Sequence, residues 1–382
     1  METPLNHLPK PIPHEAIKDL LVSVGLPKAT NIVSPKVTAE FHSIYMLSIP
    51  PNDKTSNTEL VLRVSGHHLP YIKTANEVGV MTWIAKSTKI PIPELVAYDD
   101  SDGNEIGHEY TLLARVSGDT LSDIYSSLDE KQVDGILDQL ADILVELHSH
   151  KWHGIGGLNL DTDGSIYVAQ VIDETFRMVP DLELWPKSET LTSLNVSGPY
   201  SSITDYVSAH INLYIHLIKL NDKLAFMRDD IPRLEAFVSA ISSQATELNQ
   251  TNLVLAHKDL HFANILYDRV SSRITAILDW EFSGIVPSQQ WNPRRAFLWT
   301  GQLGEGMAEK RKLWDRFVIR CEERNISFII EDAAFTSLLQ EAMDKVVNFV
   351  RAIVEVGPTG QRKDTVMSWR ETALENIARF GV

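Results

Sequence analysis

The sequence predicts an α+β protein with two lobes, a small antiparallel sheet followed by a larger, mainly helical part. Runs of alternating apolar and polar residues, typical of half-buried strands, fall mostly before residue 117. Apolar residues at helical spacing dominate after it. Because 382 residues are too many for one compact core, we place a leader and small lobe at 1–116 and a second lobe at 117–382.

The small lobe is predicted to contain two helices and an antiparallel sheet. The predicted elements in order are a helix at 12–21, strands at 44–47 and 60–64, a helix at 72–86, and strands at 95–98 and 109–116. Pro13 lies near the start of the first helix, and the polar segment 50–57 reads as a loop. Pro91 and Pro93 separate the second helix from the strand that follows it.

The second lobe is predicted to be helical, with a short strand insert. Helical spacing covers 133–148, 203–220, 232–249 and most of 307–379, whereas 159–200 is rich in loop residues. The insert contains strands at 253–255, 265–267 and 274–278, and the polar turn 269–273 joins the last two into a hairpin.

The residues around this hairpin carry the chemistry. The hairpin returns Asp279 to the side of Asn264, and Asp259 lies on the preceding loop. Carboxylate and amide oxygens at the ends of buried strands suit Mg²⁺, which binds them together with phosphate. Asp259 is then left to meet a substrate hydroxyl. A base and two metal ligands in this order are what phosphoryl transfer needs.

The segment 257–266, followed by Asp279-Trp280-Glu281, resembles the catalytic loop of protein kinases. It is more similar to that of the aminoglycoside phosphotransferase and choline kinase group, whose loop reads His-Gly-Asp-Leu-His-x-x-Asn. Lys258 replaces the usual glycine. The resemblance covers about 38–291 and implies a protein-kinase-like fold, ATP as co-substrate and Mg²⁺ as cofactor. It also implies that His257 supports the catalytic loop.

The resemblance assigns roles in the small lobe as well. Arg63 stands where kinases usually carry a lysine, and Glu77 matches the glutamate that braces this cation against the α- and β-phosphates. Lys73 is the fallback for the cation. The backbone around Ala114 and Val116 resembles the hinge strand that binds adenine.

The phosphate-covering loop departs from the kinase pattern. Kinases use glycines there so that backbone N–H groups approach the phosphates, whereas 38–45 contains none. Ser43 is the candidate hydroxyl donor in this loop, and His42 is a weaker candidate for a phosphate contact. The loop leaves the affinity for ATP in question.

The phosphate acceptor is expected to be a small molecule with a hydroxyl group, bound over the helical lobe. Asp173, Glu174 and Asp181 are candidates to meet a cationic acceptor, or are simply solvated. Glu281 is a candidate for a second metal, a substrate amine or a turn-shaping hydrogen bond. Aminoglycosides, choline-like amines, sugars and secondary metabolites all remain open, as does GTP in place of ATP.

Composition narrows the partners and the compartment. A formal net charge of −16 argues against nucleic acid and anionic membranes, and it mildly favours a cationic acceptor. We expect neither a signal peptide nor a membrane span. The single cysteine, Cys321, excludes an internal disulfide framework, so we expect a cytoplasmic protein.

Two other functions compete with a small-molecule kinase. A nucleotide-binding pseudokinase or regulatory module fits the glycine-free loop and Arg63, but the intact Asp259, Asn264 and Asp279 favour an enzyme. A kinase acting on proteins would need an activation segment after Asp279, and Pro287 follows after only a few residues.

Overall fold

The computed structural model describes residues 8–35, 40–301, 307–360 and 362–382, and the predicted two-lobed α+β fold is confirmed. Five antiparallel strands form the N-terminal sheet: β1 (Asn31–Val33), β2 (His42–Ser48), β3 (Glu59–Ser65), β4 (Leu95–Asp99) and β5 (Tyr110–Ala114). Their order is β1-β2-β3-β5-β4, which places β3 at the centre. The strand predicted at 109–116 corresponds to β5 and is shorter than predicted, since residues 115–116 lie beyond its end. β1 was not predicted.

Two helices accompany this sheet, α1 (His14–Ser23) and α2 (Ile72–Ser87). α1 begins two residues later than predicted, because Pro13 takes the N-cap position with an extended ψ of 134°. α2 connects the lobes: the Asn76 side-chain amide donates to the carbonyls of Glu281 at 3.0 Å and Ser283 at 2.9 Å. The polar face of α2 is thereby fixed against the segment that follows the predicted hairpin.

The second lobe is mainly helical, as predicted. Its helices are α3 (Leu121–Ile124), α4 (Glu130–His148), α5 (Leu191–Leu194), α6 (Ile203–Leu220), α7 (Ile231–Ser243), α8 (Ala245–Leu248), α9 (Met307–Glu323), α10 (Phe328–Glu331), α11 (Leu338–Val356) and α12 (Lys363–Ala378). The helix predicted at 232–249 is interrupted at Gln244. Ser242 and Ser243 before it turn their hydroxyls back onto the helix carbonyls, which weakens helix continuation.

Short strands complete this lobe. They are β6 (Asp119–Thr120), β7 (Leu158–Leu160), β8 (Ile166–Val168), β9 (Leu253–Ala256), β10 (Ile265–Asp268), β11 (Arg273–Ile277) and β12 (Gly284–Pro287). β10 and β11 form the predicted antiparallel hairpin. β9 pairs with β12, a partner that was not predicted, and β7 and β8 lie in the segment expected to be loop. Among the described residues, no helix is both long and apolar enough to cross a bilayer.

Candidate active site

A cleft of about 610 Å³ brings together side chains from the sheet and from the strand insert. It is lined by nine of the residues singled out from the sequence: Arg63, Ala114, Val116, Asp259, Asn264 and Asp279, and the further candidates His42, Glu174 and Glu281. Three other predicted site residues, Ser43, Glu77 and His257, are not among its lining residues. Glu77 and His257 instead contact residues that line it.

His257 anchors the loop that follows β9. Its imidazole is 3 % exposed, lies beside the Trp280 ring, and has its Nε2 2.8 Å from the Leu278 carbonyl. The Asp259 N–H donates to Nδ1 at 3.3 Å. With Nδ1 accepting, Nε2 carries the proton of a neutral ring. Burial lowers the pKa of His257, in agreement with this neutral form. His257 therefore fixes the loop against the end of β11.

The Asp259 carboxylate is positioned by two neighbours. Its Oδ2 lies 3.3 Å from the Nε2 of His261 and 3.4 Å from the Nδ2 of Asn264. Because the Ala263 N–H donates to His261 Nδ1 at 3.1 Å, His261 presents a protonated Nε2 to Asp259. Burial works to raise the pKa of Asp259, but the His261 hydrogen bond and nearby positive charge outweigh it and lower the pKa. Asp259 is thus an ionised acceptor facing the cleft.

His261 was not among the predicted site residues. The signal was present in the sequence, since His261 occupies the second histidine of the His-x-Asp-Leu-His pattern.

The β10–β11 hairpin brings Asn264 and Asp279 together as predicted. The Leu278 N–H donates to the Asn264 carbonyl at 2.8 Å, so Asp279 follows directly beside Asn264. Asp279 has a φ of +67°, a left-handed conformation that Asp and Asn tolerate better than most residues. The Asn264 Nδ2 donates to the Asp259 carbonyl at 2.9 Å, which directs its Oδ1 away from Asp259.

Asn264 and Asp279 make a donor set of two protein oxygens. Among the described residues, no cluster of three or more His, Cys, Asp or Glu side chains is placed to hold a metal. One amide and one carboxylate still fit Mg²⁺, which characteristically keeps several waters and binds substrate phosphate through few protein ligands.

Arg63 on β3 contacts two carboxylates at once. Its Nη1 donates to Glu77 Oε1 and its Nη2 to Asp279 Oδ1 at 2.7 Å. The Arg63 and Glu77 side chains are 12 % and 1 % exposed. Burial disfavours the charge of Arg63, but Glu77 and Asp279 more than offset this and raise its pKa. The predicted Arg63–Glu77 pair is present, and the additional bond to Asp279 joins β3 to the hairpin.

Lys73 and Glu281 form a second, fully buried ion pair. Lys73 is 0 % exposed, and its Nζ lies 2.5 Å from Glu281 Oε2 and 3.0 Å from His42 Nε2. Lys73, the fallback for the phosphate-binding cation, does not itself line the cleft, although its partners Glu281 and His42 do. Glu281 binds this ammonium, a partner that the sequence did not indicate.

His42 lies between the two cations. Its Nε2 lies 3.0 Å from Lys73 Nζ and its Nδ1 lies 3.3 Å from Arg63 Nη2, with Glu281 Oε2 farther from Nδ1 at 3.7 Å. Burial lowers the pKa of His42 well below its usual value, and Lys73 and Arg63 act in the same direction. His42 is thus a neutral ring inside an ion-pair network. Both its nitrogens face protein groups, so a phosphate contact would require this network to rearrange.

Ala114, the last residue of β5, and Val116, two residues beyond it, line the cleft. The Ala114 N–H already donates to the Glu94 carbonyl at 2.9 Å. In the predicted phosphate loop, Thr38 and Ala39 lie outside the described residues. Ser43 belongs to β2 and is opposite Val64 of β3.

The three carboxylates expected to meet a cationic acceptor all bind groups of the protein itself. Asp173 pairs with Lys258 at 3.0 Å, Glu174 with Arg294, and Asp181 accepts the Met178 N–H at 2.7 Å. Of the three, Glu174 lines the cleft. Burial raises the pKa of Glu174 to about 7; Arg294 opposes this shift and Asp259 adds to it.

Comparison with known proteins identifies the family. Residues 53–288 match the family model of the phosphotransferase enzyme family. Among curated proteins, the chain is 23 % identical over 257 residues to a subtelomeric hrmA-associated cluster protein of Aspergillus fumigatus, covering 56 % of this chain and 50 % of the relative. It is 26 % identical over 229 residues to the clavilactone A biosynthesis cluster protein Y of Ampulloclitocybe clavipes, covering 56 % and 51 %. The chain spans about half the length of the curated relatives it matches.

Solved structures of aminoglycoside phosphotransferases are also similar. The structure of the gentamicin complex of APH(2″)-IIa is 14 % identical in sequence, and the match covers 96 % of this chain and 97 % of that chain with a TM-score of 0.48. The structure of APH(4)-Ia is also 14 % identical, and the match covers 97 % of this chain and 100 % of that chain with a TM-score of 0.48. The assignment rests on the family model, which spans well over half of the sequence: the chain belongs to the phosphotransferase enzyme family.

Proposed function

We propose that this phosphotransferase is an Mg²⁺-dependent small-molecule kinase that transfers the γ-phosphoryl group of ATP to a hydroxyl group. The observation that carries the proposal is the convergence of Asp259, Asn264, Asp279 and Arg63 on one cleft. These residues supply a base, two oxygen ligands and a fixed cation, which are the parts that phosphoryl transfer requires.

Asp259 accepts the proton of the acceptor hydroxyl and orients that oxygen toward the phosphate. Its lowered pKa keeps it ionised at neutral pH, and the bonds from His261 and Asn264 restrict its orientation. Base assistance of this kind contributes about 10²–10⁴-fold, and positioning supplies much of the rest. His257 acts indirectly, because its ring accepts the Asp259 N–H and holds the backbone of Asp259 in place.

Asn264 and Asp279 would hold Mg²⁺, whose chemistry is to neutralise and orient the phosphate oxygens. Arg63, braced by the buried Glu77, contributes positive charge to the α- and β-phosphates. Because the Ala114 N–H is engaged, we assign adenine recognition to the Ala114 carbonyl and to the backbone of Val116. The same backbone groups leave GTP open as an alternative donor.

The acceptor is a small hydroxylated molecule bound between the cleft and the helical lobe, beside Glu174. A strongly cationic acceptor is less favoured than the sequence indicated, since Asp173, Glu174 and Asp181 are each engaged by groups of the protein. We retain the lobe boundary near residue 116 and a cytoplasmic location as parts of the proposal.

Calorimetric titration of ATP with and without Mg²⁺ tests this function. The unmodified protein is compared with Asp279→Asn, which keeps a side chain that tolerates the left-handed backbone. Asp222→Asn is the matched control, because Asp222 has a 96 % exposed side chain. We expect Mg²⁺-dependent binding that weakens for Asp279→Asn alone. Failure of the unmodified protein to bind either ATP or GTP would overturn the proposal.

A further inference from the structure

Lys258, the residue immediately before Asp259, has an unusual backbone conformation. Its φ is +67°, the left-handed region in which a β-carbon is disfavoured. A non-glycine residue there costs on the order of 1–2 kcal/mol. The aminoglycoside phosphotransferase and choline kinase group, which this loop resembles more than it resembles protein kinases, uses glycine at this position, which avoids the cost. The lysine side chain must therefore bring an interaction that glycine cannot.

The side chain is buried and reaches a distant segment. Lys258 is 8 % exposed, and its Nζ donates to the Ile172 carbonyl at 2.7 Å and to Asp173 Oδ2 at 3.0 Å. The other carboxylate oxygen of Asp173 accepts from the Thr175 N–H at 3.0 Å and from its hydroxyl at 2.7 Å. These contacts involve the backbone of Ile172 and Thr175 and the side chains of Asp173 and Thr175, so the ammonium fastens this segment to the catalytic loop.

The two ends of this bridge each lie one residue from the cleft. Lys258 precedes Asp259, and Asp173 precedes Glu174, and both of these carboxylates line the cleft. A single ammonium thus sets the separation between the base and the acceptor-side wall.

We propose that Lys258 is a positioning residue that fixes Glu174 and the 172–175 segment relative to Asp259, and so shapes the acceptor side of the cleft. The inference rests on the proposed function, because it assigns a task within that reaction. The alternative is that Lys258 only stabilises the fold through a buried ion pair.

The test compares Lys258→Gly, Lys258→Met and Lys258→Met/Asp173→Asn with the unmodified protein. Glycine relieves the backbone strain and removes the bridge, whereas methionine removes the bridge and keeps the strain. Ser272→Gly is the matched control, since Ser272 is an exposed residue with a φ of +54° in the hairpin turn. Hydrogen exchange of 171–178 and steady-state hydrolysis of MgATP, with water as the acceptor, are measured well below the unfolding temperature of each variant.

We expect faster exchange in 171–178 for both single variants. We also expect kcat to fall about 10- to 100-fold with KM for MgATP changed less than about threefold, because misplacement of a reacting group costs this much. The double variant should match Lys258→Met, and Ser272→Gly should match the unmodified protein.

Two results would overturn the inference separately from the proposed function. If the unmodified protein binds and hydrolyses MgATP and Lys258→Gly retains kcat and exchange protection, Lys258 is only a structural residue. A fall in thermal stability without a change in kcat would lead to the same conclusion. If the unmodified protein binds no nucleotide, the proposed function fails and the inference fails with it.

Discussion

The Lys73–Glu281 pair provides the sharpest test of how the cleft is built. Both residues are essentially inaccessible, at 0 % and 3 % exposed, and their charged atoms lie 2.5 Å apart. Removing one partner leaves a charge in the interior, whereas removing both leaves an apolar site of similar volume. The informative variants are therefore Glu281→Gln, Lys73→Met and the double variant Lys73→Met/Glu281→Leu.

The magnitude for the single variants follows from the cost of an unpaired buried charge. Breaking a buried ion pair costs about 3–5 kcal/mol. We expect each single variant to lower the free energy of unfolding by about 4 kcal/mol. The double variant should lose much less than the sum.

Urea unfolding followed by tryptophan fluorescence measures these free energies. Single variants that each cost less than about 1 kcal/mol would refute the assignment of a buried, charged pair. A second readout concerns function: Lys73 does not line the cleft, whereas Glu281 does. Lys73→Met/Glu281→Gln, which keeps the size and polarity of the cleft-lining side chain, should therefore bind MgATP within about threefold of the unmodified affinity, less than about 1 kcal/mol. A loss of nucleotide binding beyond that range would restore Lys73 as the phosphate-binding cation.

Three further outcomes follow from the site. Asp259→Asn should lower the kcat of phosphoryl transfer about 10²–10⁴-fold, while the affinity for MgATP measured by calorimetry stays unchanged. If kcat and MgATP affinity fell by the same factor, Asp259 would not be a base that acts on the acceptor. Arg63→Lys leaves one nitrogen to bind the two carboxylates that the two terminal nitrogens of the guanidinium bind. It should lower the free energy of unfolding, measured in urea, by about 1–3 kcal/mol. An unchanged free energy would mean that Arg63 does not join Glu77 to Asp279. The pKa of Glu174 is raised from 4.5 to about 7, so the unfolded state ionises first and the stability contributed by the protonated carboxyl is lost as pH rises from about 4.5 to 7. Relative to Glu174→Gln, the unmodified protein should lose at most about 3 kcal/mol across that window and stay level above it; parallel curves would exclude the shift.

The fold was largely predictable because its signals are local. Helical spacing located α2, α4 and α6, and the polar turn 269–273 located the β10–β11 hairpin. The unpredicted strands β1, β7 and β8 have only three residues each, too few for alternation to be recognised. β12 is apolar and buried throughout, so its pairing with β9 depends on contacts that a local pattern does not record.

The site was predictable where spacing along one loop determines geometry. Asp259, Asn264 and Asp279 belong to one turn and one hairpin, so a correct hairpin places them together. Lys73 and Glu281 are 208 positions apart, and Lys258 and Asp173 are 85 apart. Pairs at such separations depend on tertiary packing, between the lobes for Lys73 and Glu281 and within the helical lobe for Lys258 and Asp173. The local sequence around these four residues shows no periodic pattern that would indicate the two pairs.

Arginine in place of lysine at position 63 is explained by the same packing. The cleft collects several carboxylates, and an ammonium on β3 has one nitrogen with which to meet them. The guanidinium of Arg63 has separate nitrogens, and these bind the buried Glu77 and the cleft-facing Asp279 together. Lys73 meanwhile neutralises Glu281 inside the protein. Arg63 thus binds Glu77 and Asp279, while Lys73 binds Glu281. Arginine in place of the kinase lysine is therefore compatible with a phosphate-binding site, and it gives little support to a pseudokinase.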